Sequence, residues 1–253
     1  MSEQNLLCDV AGGVGRLTLN RPAQGNAIDV ALADALMEAA VRLAEDPAVK
    51  VVTLTGNGRL FCAGGDIAAF SEGEPGAVIA RITVSLHAAI NRLAMMPKPL
   101  VCLVNGPAAG AGLGLAMLGD IVLAASSSHF TSAYTAIGVS PDAGTSWLLP
   151  RLIGLRRAQD MILTNRRVGP EEAVAIGLIT RMVPDDALAS EGDKIAQSLG
   201  AGATGAFTTA RRLLHRSHCS SFADHLEAEA AGIVAAARSE EAKARFAAFR
   251  EKA

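Results

Sequence analysis

Apolar positions along the chain follow two rhythms. Val14-Gly-Arg-Leu-Thr-Leu19 alternates apolar and polar residues and predicts a strand, and Asn20-Arg-Pro-Ala-Gln-Gly-Asn26 predicts a loop. Leu32, Leu36, Ala40 and Leu43 then recur at helical spacing behind a candidate N-cap at Asp29, and Asp46-Pro47 ends that helix. Val51–Thr55 reads as a buried strand closed by Gly56-Asn-Gly58. A helix is expected over 76–96, short β-like runs at Leu100–Val104 and Ile121–Ala125, and a glycine-interrupted helix near 112–118 between them.

After Gly138 the pattern turns helical, with stretches expected over 142–149, 155–163 and 170–176. A short apolar run at Leu178–Val183 and two further helical stretches follow. Strands alternating with helices at this pace imply an α/β core. The chain divides into a core over 1–190 and a helical region over 191–253, with no repeat or long linker between them.

Composition narrows the function classes. Of 253 residues, 50% are hydrophobic and 19% charged, so the chain can bury a core. A net charge of −2 offers no basic field to nucleic acid or to an anionic membrane. Cys8, Cys62, Cys102 and Cys219 form no CxxC pair, which argues against zinc and iron–sulfur sites and fits reduced thiols in a cytoplasm. The N-terminus shows no basic, apolar export signal, and the most apolar long segment, 107–119, is too short to span a membrane. A soluble, cytoplasmic protein is expected.

Two glycine-rich runs each follow a β-like run: Ala63-Gly-Gly-Asp66, and Asn105-Gly-Pro-Ala-Ala-Gly-Ala-Gly-Leu-Gly114. Glycine at such junctions turns the backbone tightly and leaves amide N–H groups uncovered, so each is a candidate oxyanion donor; close packing is the plainer role. Neither run is a phosphate loop, and the second has GxGxG rather than dinucleotide spacing. No GxSxG elbow or HExxH pair is present, and His215 and His218 lack further ligands.

The runs Phe61-Cys-Ala-Gly-Gly-Asp-Ile67 and Asn105 through Asp120, with Phe130 to Asp142 downstream and Asn20-Arg-Pro…Asn26-Ala27 upstream, resemble the enoyl-CoA hydratase/isomerase family of the crotonase superfamily. The resemblance covers roughly residues 10–190 in unbroken order. It implies a crotonase-type ββα spiral core with a C-terminal helical trimerisation region, a homotrimer or dimer of trimers, and acyl-CoA thioester substrates. CoA would enter as part of the substrate, with no separate cofactor and no metal.

By the same resemblance, the backbone N–H groups of Gly65 and Ala111 bind the thioester oxygen as it becomes an enolate. Ala111 stands where the family usually has glycine. The two glutamates that position water in hydratases have Gly114 and Tyr134 as counterparts, so simple hydration is not expected. The carboxylate that remains is Asp142, in Ser140-Pro-Asp-Ala-Gly-Thr-Ser-Trp147. It resembles the acidic residue of family members that shift a double bond, including enoyl-CoA isomerases and the ring-opening isomerase of phenylacetate breakdown, where one carboxylate suffices for a 1,3-proton transfer. Residue by residue, His87, Tyr134 and Asp142 also match the histidine, aromatic residue and nucleophilic aspartate of 4-chlorobenzoyl-CoA dehalogenases.

Three readings therefore stand: an enoyl-CoA isomerase first, then an aryl-CoA dehalogenase, then an acyl-CoA binder without chemistry. Each residue also has a plain alternative: a helix N-cap for Asp142 and Asp66, a packed or exposed side chain for His87, a core aromatic for Tyr134. Ala27, Ala63, Asp66 and Ile67 are candidate CoA contacts through the resemblance, and Phe249 is a candidate contact to the CoA of a neighbouring subunit.

Overall fold

The computed structural model describes residues 5–70 and 74–251. Residues 1–4, in which no export signal is expected, lie outside them. In chain order the strands are β1 (Leu6–Ala11), β2 (Val14–Leu19), β3 (Val51–Gly56), β4 (Leu100–Val104), β5 (Ala108–Ala109), β6 (Ile121–Ala125), β7 (Phe130–Thr131) and β8 (Arg181–Val183). The helices are α1 (Val30–Glu45), α2 (Ile67–Phe70), α3 (Pro75–Met95), α4 (Ala111–Ala116), α5 (Thr145–Ile153), α6 (Leu155–Thr164), α7 (Pro170–Ala175), α8 (Leu188–Gly200), α9 (Thr204–Arg216), α10 (Phe222–Ala237) and α11 (Glu240–Arg250).

A six-stranded sheet in the order β1-β2-β3-β4-β6-β8 forms the centre, antiparallel between β1 and β2 and parallel from there on. β5 and β7 pair in a second, two-stranded parallel sheet. Parallel strands are buried on both faces, which is why β3 and β4 read as continuous apolar runs rather than alternating ones. Side chains still alternate between the faces. Val52, Leu54, Leu100, Cys102, Val104 and Val122 enter the main core with α1 and α3, whereas Val51, Val101, Leu103 and Leu123 form a second cluster.

That second cluster is closed by Leu188 and Ala196 of α8. The boundary expected near residue 190 therefore falls inside a helix packed on the sheet, and Arg16 of β2 reaches Asp193 at 3.1 Å across it. The helical region separates from the sheet only after α8. α9 is tied back by Arg211, whose guanidinium donates to both oxygens of Asp120 and to the carbonyls of Met96 and Leu93. No described residue of α10 or α11 is buried. Among the described residues, no helix is long and apolar enough to cross a membrane.

Asp29 caps α1 as expected, accepting from Leu32 N at 2.8 Å. Asp142 does not cap α5. That helix begins at Thr145, three residues later than the periodicity suggested, because Ala143 (φ +51°) and Gly144 (φ +77°) both take left-handed conformations that break it. The apolar run 178–183 forms a strand only over Arg181–Val183.

Candidate active site

The two glycine-rich turns meet back to back. Cys62 N donates to Pro107 O at 3.2 Å and Ala109 N to Cys62 O at 3.0 Å, fastening one turn to the other. A third segment joins them: Ile28 N donates to Gly64 O at 2.7 Å, and Asp66 N to Ile28 O at 3.0 Å. Gly64 adopts φ +103°, and a Cβ on it would lie 3.0 Å from the Ala109 carbonyl oxygen, so this approach requires glycine. Gly65 and Ala111 leave the junction on the same side and line one cavity. Neither amide has an acceptor among the described residues. For Ala111, the first residue of α4, that is the ordinary state of a helix N-terminus.

The cavity measures about 310 Å³. Ile79, Ile82, Thr83 and Leu86 of α3 form one wall at helical spacing, and Ile67 and Phe70 of α2 another. Tyr134, Ile137, Val139 and Asp142 close the far side. Walls this apolar exclude water and strengthen any hydrogen bond made inside them.

Asp142 is the carboxylate among these lining residues. Tyr134 donates its hydroxyl to Asp142 Oδ1 at 2.7 Å and is only 8% exposed. Burial first, and the neighbouring Asp142 charge second, push the phenol well above its ordinary range, so it remains a neutral donor. His87 Nε2 lies 3.6 Å from Asp142 Oδ2 and accepts from Ala143 N at 3.3 Å. It does not line this cavity; its half-exposed ring faces a neighbouring one.

Gly114 explains how Asp142 reaches the site. A Cβ at this position would lie 2.5 Å from the Ala143 carbonyl oxygen and 2.9 Å from the Ala143 methyl. Any side chain at position 114 collides with the segment that carries Asp142.

The structure divides the remaining candidates. Ala63 and Ile67 line the cavity; Ala27, Asp66 and Phe249 do not. Asp66 Oδ1 accepts from Ala68 N at 3.1 Å and Ala69 N at 3.3 Å, capping α2, and its Oδ2 pairs with Arg21 at 3.0 Å. Phe249 is exposed on α11.

Arg21 is a residue that sequence reasoning passed over. It also pairs with Asp29 at 3.1 Å and donates to the Ala27 carbonyl, drawing three loop segments together beneath the Gly65 turn. The sequence marks it only as part of the Asn20-Arg-Pro motif, with no sign of its two carboxylate partners. The α3 wall was findable, since Ile79, Ile82 and Leu86 recur on one helical face. Cys62, fully buried at this junction, is held protonated by burial, which pushes its thiol up to about 12. Among the described residues no group of three or more His, Cys, Asp or Glu is placed to hold a metal ion.

The model of the family described as enoyl-CoA hydratase/isomerase matches residues 9–253. The chain belongs to that family. It is 38% identical over 198 residues to 1,2-epoxyphenylacetyl-CoA isomerase of Escherichia coli, an alignment covering 77% of this chain and 75% of the relative. It is 33% identical over 206 residues to 4-chlorobenzoyl coenzyme A dehalogenase-2 of an Arthrobacter species, covering 80% and 75%. Among solved structures, an enoyl-CoA hydratase from Bacillus anthracis superposes with a TM-score of 0.94 at 28% identity over 98% of this chain and 97% of that one. The fold is thus the crotonase-type core with C-terminal helices that the glycine motifs implied, and both resembled branches are represented among its relatives.

Proposed function

We propose that the protein is an acyl-CoA double-bond isomerase in which Asp142 carries a proton between two carbons of an allylic thioester. The observation that carries this reading is the single carboxylate facing the two unengaged amides of Gly65 and Ala111 across one apolar cavity. Loss of a proton beside a thioester builds negative charge on its oxygen, and preorganised N–H donors stabilise that charge by about 3 kcal/mol each. Asp142 takes the proton from the α-carbon and returns it at the γ-carbon of the dienolate, and Tyr134 holds the carboxylate through its 2.7 Å hydrogen bond. The acyl chain lies along Ile79, Ile82 and Leu86. Ala63 and Ile67 contact the CoA portion at the cavity rim, and the exposed apolar side chains of α10 and α11 meet other copies of the chain in a trimer.

Hydration is not supported, because Gly114 and Tyr134 supply no carboxylate and Gly114 has no room for one. A second reading, hydrolytic dehalogenation of an aryl-CoA, keeps Asp142 as nucleophile and needs His87 to activate water at the aryl ester. His87 does not line the cavity, so it is not placed to activate water at an aryl ester formed inside it, which favours the isomerase.

The test is conversion of trans-3-hexenoyl-CoA to its conjugated isomer, followed by ultraviolet absorbance. Asp142→Asn is expected to lower turnover by about 10³-fold. Full turnover in that variant would remove the proton-carrying role. Chloride release from 4-chlorobenzoyl-CoA without isomerisation would establish the second reading, and CoA-thioester binding without turnover on any substrate would leave a silent binder.

A further inference from the structure

A second cavity of about 500 Å³ lies beside the first, between α3, α5 and α9. The two are divided by residues 142–144: Asp142 lines the first, while Gly144 and Leu148 line the second. The same division runs through α3, where Leu86 faces the first cavity and its neighbour His87 faces the second. His87 is thus in contact with both sides. Its Nε2 lies 3.6 Å from Asp142 Oδ2, while half of its side-chain surface is open to the second space.

We infer that His87 exchanges the proton carried by Asp142 with water in the second cavity. This rests on the proposed proton transfer by Asp142. An acyl group filling the first cavity cuts that face of the carboxylate off from water, leaving the imidazole as its contact with the other side. The Nε2 lone pair is shared by two candidates, the Ala143 N–H at 3.3 Å and the Asp142 carboxyl. While the substrate is a dienolate, the protonated carboxyl gives its proton to Nε2. The imidazolium trades protons with water reaching its ring, and a proton of solvent origin returns to the carboxylate. No net charge or oxidation state changes. Asn91, Trp147, Arg151, His215 and His218 line the second cavity with His87, and Asp120 and Arg211 there are paired with each other. The rest of that lining is largely apolar, Ile90, Met117, Leu148 and Leu214 among it, so the water that meets His87 is the solvent reaching its half-exposed ring.

The experiment runs the isomerisation of trans-3-hexenoyl-CoA in D₂O and measures deuterium at C4 of the product, the carbon that receives the proton, for the unaltered protein, His87→Gln and His87→Phe. The glutamine amide oxygen can still accept from Ala143 N–H but cannot pass a proton on. The expected result is deuterium at C4 in the unaltered protein, reduced about tenfold in both variants, with turnover falling less in His87→Gln than in His87→Phe. Equal deuterium in all three proteins would overturn the inference, since the carboxylate then exchanges with water directly. So would a product free of deuterium in the unaltered protein. Absence of any conversion by the unaltered protein would instead overturn the isomerase reading itself, and the relay with it.

Discussion

Tyr134 and Asp142 are joined by a 2.7 Å hydrogen bond from phenol to carboxylate, at the wall of an apolar cavity. The bond orients the carboxylate toward the cavity. Tyr134→Phe removes the donor but keeps the ring that fills the wall. A hydrogen bond to a charged group contributes about 1.5–3 kcal/mol, so turnover on an accepted 3-enoyl-CoA is expected to fall by about 10- to 100-fold with little change in KM. A variant as fast as the parent would show that Asp142 is positioned by its backbone alone.

Gly114→Ala places a methyl 2.5 Å from the Ala143 carbonyl. Overpacking of this kind costs about 1–3 kcal/mol, visible as a lower urea midpoint, and the relief available is displacement of the segment bearing Asp142. Isomerase turnover is therefore expected to drop more than stability alone accounts for. Gly114→Glu is expected to lose isomerisation without gaining hydration of 2-enoyl-CoA, and appearance of a hydratase would refute the steric argument.

Arg211 is buried, and its pairing with Asp120 is the tie described between α9 and the core. Arg211→Ala leaves Asp120 and two carbonyls without their donor. Asp120 retains partial solvent contact and the Leu100 N–H, so the cost is expected to be about 3 kcal/mol, at the lower end for a broken buried pair. Hydrogen exchange should show α9 opening ahead of the sheet; global unfolding with no local step would contradict this.

Cys62, Cys102 and Tyr134 all keep their protons in the folded state beyond their ordinary values of 9.0, 9.0 and 10.0, chiefly through burial. In the unfolded chain they ionise at those ordinary values. Above pH 9 the unfolded state therefore binds fewer protons than the folded one, and stability present below that pH is lost as pH rises. Each group contributes a slope of up to about 1.4 kcal/mol per pH unit. Urea titrations between pH 8 and 11 should show the decline, less steep by about one proton in Cys102→Ala. A flat profile would mean that these groups ionise without unfolding.

Much of the frame was legible because it rests on local rules. Asp29 caps where a capping side chain is expected, and β3 and β4 read as strands from their β-branched, apolar runs. The glycine pair at 64–65 and the run around Gly110 pointed to a backbone site once their order matched the family motifs, although Gly112 and Gly114 also serve close packing. What stayed hidden depends on contacts between distant segments. Arg21 looks like any loop arginine until Asp29 and Asp66 fold against it. The start of α5 was misjudged because Ala143 occupies a left-handed conformation that alanine rarely adopts, held there by neighbours more than 25 residues away. His87 was identified by resemblance, but its place between two cavities follows from tertiary packing alone.

The fastening of Cys62 to Pro107 and Ala109 means that the two turns carrying the Gly65 and Ala111 amides are joined directly by main-chain bonds. A thioester oxygen recognised there is recognised by atoms that every amino acid but proline possesses. The walls, built from Ile79, Ile82, Phe70 and Val139, can then be exchanged for larger or smaller residues without retuning the electrostatics. Such a scaffold separates the choice of acyl group from the handling of charge, so redesign for a new substrate can begin at the walls and leave the polar anchor untouched.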